Sequence, residues 1–134
     1  MFVLDSSALL AFLYAEPGHE RVAELLASAG DRAALRLHRI HLGEVYHLFY
    51  RKGGETLAEE MLADVRQLPI ILDDRVPPAL MREAGRLKAL YRLSYADAFA
   101  AGLARVRHGT LVSADRREFG PVETAREVSV SWVR

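Results

Sequence analysis

The sequence predicts an α/β fold of three layers, with helices on both faces of a central, mostly parallel sheet of about five strands. Two observations predict it. Short apolar runs alternate along the chain with segments whose apolar residues recur at helical spacing. Strands separated by helices build parallel sheets, because a parallel return needs a connection long enough to hold a helix. A third observation sets the scale. The chain has 134 residues, 51% hydrophobic and 27% charged, which fits one soluble domain over residues 1–134 with a core of its own.

The elements follow in order. Phe2-Val3-Leu4 is a short strand. Ser6 to Tyr14 is apolar on most faces, the pattern of a buried helix, and Glu16-Pro17-Gly18 breaks it. Val22, Leu25, Leu26 and Ala29 mark an amphipathic helix, which Gly30-Asp31 stops. Ala33 to Leu37 is the second strand. His41 to Arg51 is helical and ends at Gly53-Gly54. Leu57, Met61, Leu62, Val65 and Leu68 mark the next helix, and Pro69 to Leu72 is a buried strand. Leu80, Met81, Ala84, Leu87 and Tyr91 share one helix face. Ser94 to His108 is Ala-rich and apolar nearly all round, as a central helix would be, with Gly109 as its stop. Thr110 to Ser113 and Val128 to Val133 are the last strands.

Composition excludes several classes of function. There is no cysteine, which removes disulfide scaffolds, thiolate metal sites and cysteine nucleophiles. No apolar run approaches a membrane span, and the N-terminus lacks the basic lead-in of a signal peptide. A cytoplasmic protein with no membrane contact is expected. Lys plus Arg and Asp plus Glu both number 18. A neutral chain meets a polyanion only through a local basic patch or a bound cation. Sixteen basic residues are Arg, Asn is absent and Gln67 is the only Gln. That bias fits a thermophile or a GC-rich genome equally.

In parallel sheets, sites form beyond the carboxyl ends of the strands, where strand order reverses. Asp5 directly follows the first strand, and Asp115 follows the Thr110 to Ser113 strand after one alanine. Asp97 lies in the first turn of the Ala-rich helix, and Glu44 in the first turns of the helix after the second strand. Each has a local explanation. Asp5 suits a helix N-cap, Ser94 with Asp97 and Asp115 with Glu118 fit capping boxes, and Glu44 suits pairing with His47 or Arg51. Together, four carboxylates at one end of a sheet would repel one another unless cations or protons neutralise them. Oxygen ligands suit Mg²⁺ or Mn²⁺, which promote phosphodiester hydrolysis. His38 and His41, three apart near the second strand's end, read as a turn, and His19, His47 and His108 as surface residues.

Four segments carry a resemblance. They are Val3-Leu4-Asp5-Ser6-Ser7-Ala8-Leu9-Leu10, Leu42-Gly43-Glu44-Val45-Tyr46, Leu93-Ser94-Tyr95-Ala96-Asp97-Ala98-Phe99-Ala100-Ala101, and Leu111-Val112-Ser113-Ala114-Asp115-Arg116-Arg117-Glu118-Phe119. In this order, and with the closing strand that holds Trp132, the chain resembles the PIN-domain ribonucleases. Within them it is similar to the VapC-type toxins of type II toxin–antitoxin pairs. Asp5, Glu44, Asp97 and Asp115 match the family's acidic positions. Two departures are small: His41 stands where relatives often carry a small polar residue, and Ser113-Ala114-Asp115 where Thr-Gly-Asp is common.

The resemblance implies a PIN-like fold and Mg²⁺- or Mn²⁺-dependent endonucleolytic hydrolysis of RNA. Asp5 and Asp97 would be the principal metal ligands and Asp115 a further one. Glu44 would hold a second ion or orient the attacking water. Ser6 and Ser113 would fix carboxylates by hydrogen bonds, although capping explains Ser6 as well. Arg116, Arg117, Arg51 and Lys52 are candidates for phosphate contact or simply solvated surface. A homodimer and a cognate antitoxin protein are the implied partners. Leu9, Leu10, Phe12, Leu13 and Phe49 are either an antitoxin groove or plain core. The alternative is a catalytically inactive PIN-fold module that binds RNA or protein. A phosphoacceptor domain would want a Lys after a late strand, but the only lysines are Lys52 and Lys88. A haloacid-type phosphatase would want D-x-D where Asp5-Ser6-Ser7 stands.

Overall fold

The computed structural model describes residues 1–30 and 34–134. In chain order they form β1 (Phe2–Leu4), α1 (Ser6–Leu13), α2 (His19–Ala27), β2 (Leu35–His38), α3 (Arg39–Arg66) and β3 (Ile71–Asp73). There follow α4 (Pro78–Leu90), α5 (Tyr95–Val106), β4 (Thr110–Ser113), α6 (Arg116–Thr124) and β5 (Ser129–Trp132). The strands form one five-stranded sheet in the order β3-β2-β1-β4-β5. Every neighbouring pair is parallel.

The order records how the chain winds. From β1 it steps outward to β2 and β3, then returns past β1 to β4 and β5. Strand order therefore reverses between β1 and β4, where Leu4 lies opposite Val112. Side chains alternate between faces along each strand. Val3 and Leu111 pack with Leu80, Leu87, Phe99 and Phe119 from α4, α5 and α6. Leu4, Leu37 and Val112 pack with Leu9, Leu25, Val45 and Met61 from α1, α2 and α3. These two buried clusters are the outer interfaces of the three layers.

Small residues set the close contacts. Ala98, Ala100, Ala101 and Ala104 of α5 are wholly buried between the sheet and α4. Gly18 has φ of 90°, and a Cβ there would lie 2.1 Å from the Val133 carbonyl oxygen. Only glycine lets the turn before α2 approach the end of the chain.

Several boundaries differ from expectation. Helix α6 is not marked by periodicity: only Phe119 and Val122 are buried, and Gly120 and Pro121 lie inside it. The helices expected either side of Gly53-Gly54 form the two arms of α3, which breaks at Gly54 with φ of 79° and ψ of −169°. Strand β3 begins at Ile71, after Pro69 and Ile70, and is not buried: it is the sheet's edge strand, with Ile71 exposed. Ala29 lies beyond the end of α2. Asp31 and Ala33, placed in a helix stop and a strand start, fall outside the described residues, and β2 extends one residue past Leu37.

The pair His38 and His41 does not form a turn. His38 ends β2 and caps α3, its Nδ1 accepting the Ile40 N–H, and His41 lies in the first turn of α3, wholly buried. Strand passes directly into helix there because a histidine ring satisfies a helix-start N–H. Leu9 is core, while Leu10, Phe12, Leu13 and Phe49 are partly buried against the α1–α3 side.

Candidate active site

Because β1 and β4 are neighbours, the residues that follow them meet. Asp5 caps α1 and is 1% exposed. Its Oδ1 accepts the Ala8 N–H at 2.8 Å and the Ser7 hydroxyl at 2.8 Å. Its Oδ2 accepts the Ser113 hydroxyl at 2.6 Å. Burial pushes the Asp5 carboxyl above its ordinary range, and the bonds from Ser113, Ala8 and Ser7 oppose that rise. The two serines also tie β4 to α1. Ser113 Oγ accepts the Asp115 N–H and Ser7 Oγ accepts the Ala114 N–H, both at 2.9 Å.

Glu44 lies in the second turn of α3, its side chain 42% exposed. Its Oε1 accepts the Ser6 hydroxyl at 2.6 Å and lies 3.1 Å from His41 Nδ1. The His41 contact, followed by Ser6, holds its carboxyl below the usual range. His41 Nδ1 also lies 2.8 Å from Ser6 Oγ, whereas Nε2 is buried without a partner. The Ser6 N–H also lies 3.2 Å from His41 Nδ1.

Asp97 sits in the first turn of α5, where Ser94 Oγ accepts its N–H at 3.1 Å. Burial, then the negative charge of Asp5, pushes its carboxyl up to about 6. Asp115 caps α6 by accepting the Glu118 N–H at 3.1 Å. Glu118 Oε2 is buried with no hydrogen-bond partner.

These side chains form two triads that share Asp97. One oxygen or nitrogen from each of His41, Glu44 and Asp97 lies within 4.8 Å of the others, and so do oxygens of Asp97, Asp115 and Glu118. Asp5 belongs to neither triad and acts on Asp97 through its charge. The structure thus places Glu44 and Asp115 each beside Asp97, with buried Asp5 close enough to act on Asp97. Ser6 is placed on Glu44 and Ser113 on Asp5. The cap of α1 is Asp5, not Ser6.

Among the described residues, no Lys or Arg pairs with Asp5, Glu44, Asp97, Asp115 or Glu118. Repulsion among unpaired carboxylates, which after burial raises the Asp97 carboxyl, is relieved by proton uptake or by a cation. A cluster dominated by carboxylate oxygens, one of them buried and unpartnered, fits a hard divalent ion such as Mg²⁺ or Mn²⁺.

The basic candidates separate. Arg116 lies over the Trp132 ring at 4.5 Å and donates to the Arg134 carbonyl at 3.0 Å. Arg117 instead lines a cavity with Glu118. Arg51 and Lys52 flank Tyr14, and the Lys52 ammonium lies 4.5 Å from that ring's centre. A larger cavity of about 510 Å³ lies between the β3–α4 loop and α5, and its lining includes none of the five carboxylates.

Sequence reasoning did not single out Ser7 or Glu118 for the site, and raised His41 only as a departure that left its contact with substrate open. Glu118 carried a signal, three residues after Asp115 as in a capping box. His41 carried a weaker one, three residues before Glu44 on one helix face.

Residues 2–123 match the family model described as the PIN domain. The chain belongs to the PIN-domain family. No curated protein matches it in sequence. Solved PIN-domain neighbours include VapBC2 of Rickettsia felis, bound to a promoter DNA fragment, at 15% identity and a TM-score of 0.76. That match covers 98% of this chain and 97% of the other. VapBC-1 of nontypeable Haemophilus influenzae matches at 11% identity and 0.77, covering 98% and 97%. VapC20 of Mycobacterium tuberculosis, a toxin that cleaves the sarcin–ricin loop, matches at 17% and 0.68, covering 90% and 95%. At these identities the likeness is one of fold. Among the described residues, no helix of this PIN domain is long and apolar enough to cross a membrane.

Proposed function

We propose that this PIN domain is a divalent-metal-dependent endoribonuclease and the toxin of a toxin–antitoxin pair. The observation that carries this reading is the pair of triads joined at Asp97, which hold Glu44, Asp115 and Glu118, with Asp5 acting on Asp97 and, among the described residues, no Lys or Arg paired to these carboxylates. Asp97, as the shared member, would hold an ion with Asp115 and Glu118, and Glu44 would complete the second position. Asp5 would complete the metal site beside Asp97, its carboxylate fixed by Ser7 and Ser113. Bound Mg²⁺ or Mn²⁺ supplies positive charge against the phosphate and the leaving oxygen, and acidifies water for attack. His41 and Ser6 would orient Glu44 toward that water.

An RNA substrate is supported by the cleaving activity of VapC20. An antitoxin is supported by the VapBC neighbours, and Leu10, Phe12, Leu13 and Phe49, partly buried, offer it apolar contact. We take the protein to act in the cytoplasm as a homodimer. The test is expression in a bacterial host followed by mapping of new RNA 5′ ends. New ends absent from an Asp5→Asn control support the reading. Identical end maps from both would exclude it, and RNA binding without cleavage would leave a binding module.

A further inference from the structure

Beside the carboxylate cluster, a cavity of about 480 Å³ opens between the end of α4 and the start of α6. Its lining is Leu90, Tyr91, Arg92, Arg117, Glu118 and Pro121. Three features define what it can hold. Leu90, 60% exposed, and the rings of Tyr91 and Pro121 make apolar walls. The Tyr91 hydroxyl donates to Glu127 at 3.0 Å, which fixes that wall. Among the described residues, Arg92 and Arg117 make no ion pair, unlike Arg86 and Arg105, which pair with Glu83 and Glu127. Finally, Glu118 belongs both to this cavity and to the triad with Asp97 and Asp115. Glu118 therefore links the cavity to the cluster.

We propose that this cavity is a nucleotide subsite. It takes the base of a nucleotide beside the scissile phosphate against Leu90, Tyr91 and Pro121. Arg92 and Arg117 hold the flanking phosphates. The inference rests on the nuclease reading and deepens it: it names the residues that position the RNA. Planar bases suit apolar walls, and guanidinium groups suit phosphate oxygens. Arg117 serves here and its neighbour Arg116 does not, because Trp132 and the chain end hold Arg116 away.

The test is fluorescence anisotropy of the full chain with a short, fluorescein-labelled single-stranded RNA of mixed sequence. Ca²⁺ replaces the catalytic ion, and a gel checks that the RNA stays intact. Binding is measured across a salt series. Each phosphate contact on a single strand adds about 0.7 to the slope of log K against log salt. The Arg92→Ala/Arg117→Ala pair should therefore lower the slope by about 1.4. An Arg66→Ala/Arg82→Ala pair, outside this cavity, should leave it unchanged. Leu90→Glu, at an exposed position that folding tolerates, should weaken binding about tenfold, the scale of one base contact. One abasic position in the RNA should reproduce that loss in the wild type and add nothing in Leu90→Glu.

An unchanged slope in the Arg92/Arg117 pair would overturn the subsite. So would the absence of any abasic position coupled to Leu90. Displacement of the RNA by an acidic peptide, without an abasic-sensitive position, would reassign the cavity to a protein ligand. Failure of the nuclease reading is read separately, as no Mn²⁺-dependent cleavage by the wild type, and does not alter these binding slopes.

Discussion

Replacing Asp97 with Asn should stabilise the metal-free protein, although the same change should abolish activity. Burial and the Asp5 charge raise the Asp97 carboxyl from 3.8 to about 6. Its folded value thus lies above its unfolded value, so the ionised form opposes folding. That penalty is absent below about pH 4, grows between about pH 4 and 6, and is complete above. Two pH units correspond to a ceiling of about 3 kcal/mol. Asp97 is only partly buried, so solvent screening reduces the figure to about 1–2 kcal/mol. For a chain of this size that is a rise in Tm of roughly 3–8 °C. The assay is thermal unfolding by circular dichroism in EDTA at several pH values. The variant should melt with the wild type at pH 4 and above it at pH 7.5. With saturating Mn²⁺ the order should reverse, because the wild type gains ligand stabilisation that the variant lacks. A variant that melts at or below the wild type at pH 7.5 in EDTA would refute this reasoning.

Asp5→Asn should lower the rate of RNA cleavage on the order of 10²-fold or more, with an unchanged circular dichroism spectrum. Ser113→Ala removes the 2.6 Å bond to buried Asp5 and should cost about 1–3 kcal/mol in urea unfolding. Glu127 is held down to about 2, first by Arg86 and also by Tyr91 and Arg105. Its folded value lies below its unfolded value, so its stabilisation is present above about pH 4.5 and lost as pH falls toward 2. Glu127→Gln should therefore lower the Tm at pH 7 and change it little at pH 2. Gly18→Ala places a Cβ 2.1 Å from the Val133 carbonyl at φ of 90°. It should cost more than about 1 kcal/mol, read as a lower urea midpoint.

Much of this fold is legible because its signals are local. Apolar triplets such as Phe2-Val3-Leu4 and the all-round apolar Ser94 to His108 segment leave one place each in a layered α/β protein. Helix α6 is not legible, because two buried residues in nine carry no period and Pro121 argues against a helix. In the site, Asp5, Glu44, Asp97 and Asp115 stand out as acids in apolar surroundings or at strand ends. Three-dimensional pairings are harder to read. His41 meets Ser6 across 35 positions, and Ser7 meets the loop after β4 across 107. Those bonds depend on β1 lying between β2 and β4, a strand order that no single segment encodes. Arg116 and Arg117 look equivalent in sequence, and Trp132 at the chain's far end separates them.

The most direct test follows cleavage of a labelled RNA as free Mn²⁺ is raised from chelator-buffered zero, for the wild type and for Asp97→Asn. Cleavage should rise saturably in the wild type, vanish in EDTA and stay at background in the variant at every Mn²⁺ concentration. Undiminished cleavage in EDTA, or equal cleavage by the two proteins, would mean that the carboxylates gathered around Asp97 are not where the chemistry happens.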